Sequence, residues 1–237
     1  MKIKYIRWAM TVIEMNGLTL VTDPFFRMLR FLRAAPREYT LEQLPKPDLI
    51  LVSHRHFDHW DPWTMRRLPK EIPLIVRPKR IADDARRFGY TSVRELAPWK
   101  EAQVGDVSVT AVPAVHQGGE VGFVIQGERT VYFGGDTSFD REIFTAIGQR
   151  FDLDVALLPI GGLSFLGWAK QIDPPQAVEA LKLLRPRVVV GIHWGCAPRR
   201  PPLVDMPGTP QELARLLAEA QVDVAVRGMA PLEIVEV

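Results

Sequence analysis

The chain has 237 residues, 47% of them hydrophobic and 24% charged, enough apolar material for one sizeable soluble core. A formal net charge of +2 makes no demand for nucleic acid, and no nucleic-acid partner is expected. The single cysteine excludes an intrachain disulfide, no apolar run approaches the ~20 residues of a membrane span, and the opening "MKIKYIRWAM" is too mixed for a secretory signal, so a cytoplasmic protein is expected.

Short runs rich in Val, Ile and Thr, broken by turn residues, predict strands along the whole chain. In order they are "TVIEM" (11–15), "LTLVTD" (18–23), "DLILVS" (48–53), "PLIVRP" (73–78), "VSVTAVPAV" (107–115), "GFVIQG" (122–127), "TVYFGGD" (130–136), "VALLPIGG" (155–162), "RVVVGIHWG" (187–195), "DVAVRG" (223–228) and "LEIVEV" (232–237). Helices are predicted between some of them. "DPWTMRRL" opens with an Asp cap and a Pro at the first helical position, "IADDARRFG" stops on glycine, and "DPPQAVEALKLL" repeats the Asp–Pro start. "TPQELARLLAEA" has Thr209 as cap with Glu212 three residues on, a capping-box pattern. Strands outnumber helices and do not alternate strictly with them. That order predicts an α/β layered fold, two packed sheets with helices outside, as one domain over 1–237, and not a doubly wound sheet. No GxGxxG follows the first strand, and GxxxxGK[ST] is absent.

The chain has five histidines, and three fall within "SHRHFDHWD" (53–61). His54, His56 and His59 follow "DLILVS", His116 follows "VTAVPAV", and His193 sits in "VVVGIHWG"; Asp136 follows "TVYFGG" in the same way. Chemically capable residues at the ends of buried strands gather on one rim, a common way to build a site on a rigid scaffold. Neutral imidazole binds zinc, iron, nickel or manganese, and carboxylate lets two cations sit close together. Five histidines with Asp58 and Asp136 make seven ligand groups. With one carboxylate shared, that is enough for two metals about 3.5–4 Å apart, each keeping an open position. A lone histidine is more often a satisfied core or surface residue, but no histidine here lies outside the pattern. The loop ends at Asp61-Pro62, a helix start whose partial positive charge favours anions.

These residues resemble the metallo-β-lactamase superfamily. "SHRHFDH" is similar to its H-x-H-x-D-H signature, "PAVH", "GGD" and "GIHWG" match its later motifs in order, and "TDP" (22–24) resembles its early aspartate motif. "TVIEMNGLTLVTDPFF", "LLPIGG" and "DPPQAVEALKLLRPRVVVGIHWG" look like the branch holding ascorbate-6-phosphate lactonase and the N-acylphosphatidylethanolamine-hydrolysing phospholipase D. The resemblance implies a four-layer αββα sandwich. It implies that His54, His56 and His116 hold a first metal, that Asp58, His59 and His193 hold a second, and that Asp136 bridges them. Asp23 would orient a ligand histidine by hydrogen bond, although an Asp before Pro is also an ordinary turn former. The Asp58–His59 pair speaks against single-metal variants, and His56 stands where the diiron oxidoreductase branch has glutamate. Cys196 reads as a loop or core residue, since the ligand set is complete without it.

The expected activity is hydrolysis of a phosphodiester or a lactone or ester by a hydroxide bridging two divalent ions per chain, zinc first, with manganese or iron as alternatives. Asp58 is expected both to ligate and to orient the nucleophile. The substrate is expected to be a small anionic or ester molecule, with the arginines between Arg27 and Arg37 and the pair Arg199 and Arg200 as candidate anion holders. Two other readings stand beside this one: an iron-dependent oxidoreductase or dioxygenase on the same fold, and a non-catalytic metal-binding protein. Residues 25–37 read as ordinary amphipathic packing, with a substrate lid or a membrane-surface contact as alternatives. Trp60, Trp168 and Trp194 would either wall the pocket or pack in the core. A homo-oligomer remains open.

Overall fold

Leu49, Ile50, Leu51 and Val52 are all buried, yet they serve two different cores. Successive residues of a strand point to opposite faces. Leu49 and Leu51 enter a core between two sheets, while Ile50 and Val52 enter one beneath helices. The neighbouring strand repeats the division, with Ile75 facing the other sheet and Leu74 and Val76 facing the helices. Burial on both faces is why such strands read as unbroken apolar runs.

The structure is a computed structural model that describes every residue except 28–31, 35–38, 118, 166–167, 170, 199–203 and 229. Two seven-stranded sheets dominate it. The first runs from edge to edge as Ile234–Glu236, Lys2–Arg7, Met10–Met15, Leu18–Thr22, Leu49–Val52, Leu74–Val76 and Val93–Glu95. The second runs as Ala225–Arg227, Val188–Ile192, Val155–Pro159, Thr130–Phe133, Glu120–Gln126, Val107–Ala114 and Glu101–Val104. Helices α1 (Pro62–Arg67) and α2 (Arg80–Arg87) cover the outer face of the first sheet through Met65, Ile81, Ala82 and Ala85. Helices α3 (Arg141–Arg150), α4 (Pro174–Leu184) and α5 (Pro210–Glu219) join the larger core through Phe144, Ile147, Ala177, Leu181, Leu213 and Leu217. The layering is the expected αββα order.

Strand direction places the site. Leu18–Thr22, Leu49–Val52 and Leu74–Val76 are parallel. In the second sheet Thr130–Phe133, Val155–Pro159 and Val188–Ile192 are parallel. Val107–Ala114 runs the same way as these, because Glu120–Gln126 is antiparallel both to it and to Thr130–Phe133. The residues that follow these strands therefore meet at one end of the sandwich.

The caps at Asp61, Asp173 and Thr209 form as expected. Asp173 makes a full capping box, accepting from the Gln176 N–H at 2.9 Å while the Gln176 side chain accepts from the Asp173 N–H at 3.4 Å. At Thr209 only half of the predicted box is present: its hydroxyl accepts from the Glu212 N–H at 3.2 Å. Asp173→Ala should lower the unfolding free energy by about 1 kcal/mol, read as a shifted urea midpoint at constant slope. An unchanged midpoint would show that packing alone holds α4.

Four elements of the two main sheets and their helices lie outside the predicted set, as do the short Leu32–Ala34, Leu41–Gln43, Ser164–Phe165, Trp168–Ala169, Cys196–Pro198 and Val204–Asp205. Lys2–Arg7 buries Ile3 and Tyr5 on alternate residues, a pattern overshadowed by its lysines and arginine. Val93–Glu95 and Glu101–Val104 are sheet edges with largely polar sequences. Helix α3 carries Ile143, Thr145, Ile147 and Gly148, all weak helix formers, and is held by the burial of Phe144 and Ile147. Among the described residues no helix is long and apolar enough to cross a membrane.

Candidate metal centre

The loop after Leu49–Val52 folds into a tight turn, with the N–H groups of His59 and Trp60 both donating to the His56 carbonyl, at 3.0 and 2.8 Å. Asp61 then caps α1. The turn packs three imidazoles and Asp58 into one corner of the molecule. The loops after Val107–Ala114, Thr130–Phe133 and Val188–Ile192 bring His116, Asp136 and His193 to the same corner. Gly135 makes the approach of Asp136 possible. Its φ is +59°, and a Cβ there would lie 3.1 Å from both the Glu120 carboxyl carbon and the Ser53 Cβ.

The seven predicted residues fall into two groups that share Asp136. His54, His56, His116 and Asp136 form one, and Asp58, His59, Asp136 and His193 the other, with the facing ligand atoms of each group within 4.8 Å of one another. In the first, His56 Nδ1 lies 2.9 Å from His54 Nε2 and 3.1 Å from His116 Nε2, while Asp136 Oδ2 is 3.9 and 3.8 Å from those two nitrogens. In the second, His59 Nε2 is 3.1 Å from Asp136 Oδ2, and His193 Nε2 is 3.1 Å from Asp136 Oδ1 and 3.5 Å from Asp58 Oδ2. The second group is wholly buried, whereas His56 is exposed and His116 half-buried, so the centre opens to solvent on the first group's side.

Burial, reinforced by the charge of His59, pushes His54 down to about 4. Burial also lowers His56 and His116, so these rings are neutral near pH 7, the form that ligates metal. For His59 burial acts downward too, but the carboxylates of Asp136, Asp58 and Asp23 outweigh it and hold the ring well above its usual range. Burial alone would raise Asp136 and Asp58; the neighbouring His193 and His59 hold both below the usual carboxylate range. A proton on His59 thus occupies the place of a cation between three carboxylates.

The side chains fit metal ions. His59 Nε2 and Asp136 Oδ1 are buried and lie 3.1 Å from opposite partners, yet neither makes a hydrogen bond. Both are therefore buried polar atoms with no partner in the protein, and a cation taken up between the groups would satisfy them, displacing the His59 proton. Zn–N bonds of about 2.0–2.1 Å separate the corners of a tetrahedron by roughly 3.4 Å, within the spread of the distances above.

Asp23 supports this arrangement from behind. Its Oδ2 lies 2.6 Å from His59 Nδ1 and accepts the Ser53 hydroxyl at 2.6 Å, while Oδ1 accepts the Ser53 N–H at 2.8 Å. Three further residues contribute that spacing along the chain does not reveal. Buried Glu120 reaches His54 Nδ1 at 3.3 Å and accepts from the Asp136 N–H at 2.7 Å. Burial and the charge of Asp136 push its carboxyl up to about 8. Gln171 Nε2 lies 3.2 Å from His193 Nε2. Trp8 meets the His193 ring edge-on at 4.7 Å, and its carbonyl accepts the His193 N–H at 2.6 Å. That bond fixes His193 at φ +54°, a left-handed conformation costly for a histidine.

Among the predicted aromatics, Trp60 stacks on Phe88 and Trp194 on Tyr5, both as core. Phe25 and Phe26 pack inward against Trp8 and Tyr39. The side chain of Trp168 and most of 25–37 lie outside the described residues, as do Arg30, Arg37, Arg199 and Arg200.

A family model described as "Beta-lactamase superfamily domain" matches residues 19–194, a span that includes all seven residues. A UPF0173 metal-dependent hydrolase of Nanoarchaeum equitans is 31% identical over 210 residues, 84% of this chain and 86% of the relative. The mitochondrial N-acyl-phosphatidylethanolamine-hydrolyzing phospholipase D of Saccharomyces cerevisiae is 31% identical over 207 residues, 76% of this chain; the match spans only 44% of the yeast protein. Among solved structures, a metallo hydrolase of Ignicoccus hospitalis superposes with a TM-score of 0.79 at 28% identity, covering 99% of this chain and 97% of that one.

Proposed function

The chain belongs to the beta-lactamase superfamily as a metal-dependent hydrolase, and from that premise we propose that it cleaves a phosphodiester bond, or next in order a lactone or ester, with two divalent metal ions. The observation that carries this reading is the position of Asp136, whose two carboxylate oxygens face histidines of both groups. His54, His56 and His116 would hold one ion, Asp58, His59 and His193 the other, and Asp136 both. An imidazole-rich set suits zinc, with manganese or iron as alternatives. Bound there, the ions would bring the pKa of a water close to 7 and offset charge on the reacting oxygens.

The chain's own residues do the rest. Asp58 would orient the attacking water as well as ligate. Asp23, by accepting from His59 Nδ1, leaves Nε2 free to face Asp136. Trp8, Phe25 and Phe57 form an aromatic wall beside His193. The phosphodiester is placed first because two relatives are named for hydrolysing N-acyl-phosphatidylethanolamine, whose headgroup is joined through such a bond.

The test is hydrolysis of bis(p-nitrophenyl) phosphate and of a simple lactone by protein loaded separately with Zn²⁺ and Mn²⁺. Turnover of the phosphodiester, lost on chelation, is expected. Turnover of the lactone alone would move the assignment to carbonyl substrates, and no turnover of either would contradict the reading. Asp23→Asn should weaken metal binding about 10–100-fold without unfolding the chain; chelator competition beside circular dichroism measures both. Unaltered affinity would reduce Asp23 to a turn former.

A further inference from the structure

A cavity of about 440 Å³ opens beside His54 and His56, on the exposed side of the metal centre. Arg55, Arg77, Lys79 and Arg80 line it, and no carboxylate does. Arg55 is partly neutralised by Asp84, at 2.9 Å. Among the described residues no carboxylate lies within ion-pair distance of Arg77, Arg80 or the Lys79 ammonium. The Arg77 guanidinium lies over Gly119, where a Cβ would come within 2.7 Å of Cζ. Helix α2 begins in the same wall, but its start is already met by carboxylates, Glu95 accepting the Lys79 N–H at 2.9 Å and Asp83 lying in the first turn, so the side-chain cations carry the field.

An excess of positive charge over counter-charge, next to a reaction centre and in a space large enough for a small molecule, calls for an anionic group of the substrate. We propose that this cavity binds a phosphate monoester carried by the substrate away from the bond that is cleaved, with Arg77 as its main partner and Arg80 and Lys79 completing the field. A planar guanidinium can meet two phosphate oxygens at once, which a lysine cannot. The inference rests on the proposed hydrolytic centre only for where the scissile bond lies.

The test is calorimetric titration of the metal-loaded full chain with phenylphosphonate, a dianion that is not hydrolysed. Arg77→Met should weaken binding about tenfold, and Arg80→Met, at an exposed position, should weaken it less. Metal content and turnover of the uncharged ester p-nitrophenyl acetate should stay within about twofold, since none of these residues belongs to the metal centre. Equal phenylphosphonate affinity in wild type, Arg77→Met and Arg80→Met would mean that the metals alone hold the anion, and would overturn the proposal. Because the titration needs no turnover, failure of the hydrolase reading would leave this result intact. Phosphatidate vesicles provide the second arm. Arg77-dependent binding tighter than that of phenylphosphonate assigns the phosphate to a lipid headgroup, and weaker binding assigns it to a soluble substrate.

Discussion

Asp136→Ala should release both metal ions and lower hydrolysis by at least about a thousandfold. Asp136 alone among the seven faces both groups, with contacts of 3.1 Å to His59 and His193 and 3.8–3.9 Å to His116 and His54. A single-group ligand can be lost while the other ion stays, but removal of the shared carboxylate takes an oxygen from each. The metal-free variant should also be less stable than the metal-free parent, because His59 loses one of the carboxylates that hold its proton in a buried position. Metal analysis after dialysis at fixed free Zn²⁺ reads the first effect, and chemical denaturation the second. Retention of two ions per chain would show that Asp136 does not bridge.

His116→Ala should abolish activity by a different route. His116 is half-buried at the open side, and its ring nitrogen lies 3.1 Å from His56 Nδ1. The second group, with Asp58, His59, Asp136 and His193, contains no contribution from it. The variant should therefore fold, keep about one ion per chain, and lose about a thousandfold or more in turnover, because a lone ion in the buried group leaves the solvent-facing half of the centre empty. Full activity in this variant would contradict the ligand assignment.

The two variants also show what the sequence could reveal. The signature residues lie a few positions apart or directly after apolar runs, so local spacing and strand periodicity single out the seven residues that the fold brings into one corner, and anticipate the layered fold. Asp23 was legible only through the family resemblance, since an Asp before Pro has an ordinary turn-forming role as well. Glu120, Gln171 and Trp8 were not legible, because each acts through a contact with a distant part of the chain: Glu120 with His54, Gln171 with His193 across 22 residues, and Trp8 with His193 from the first sheet. Composition drew attention to arginines near 27–37 and at 199–200. The cationic cavity is built instead from residues after Leu74–Val76, where a single arginine, a lysine and a second arginine made no conspicuous cluster. Helix α3 was hidden for a related reason, since its stability comes from burial of Phe144 and Ile147 and not from helix propensity.

The central claim is a pair of metal ions sharing Asp136, and anomalous diffraction from crystals of zinc-loaded protein, collected on both sides of the zinc absorption edge, tests it most directly. Two zinc peaks per chain are predicted, one among His54, His56 and His116 and the other among Asp58, His59 and His193, with Asp136 between them. One peak only at saturating zinc, or two peaks placed elsewhere, would contradict the account.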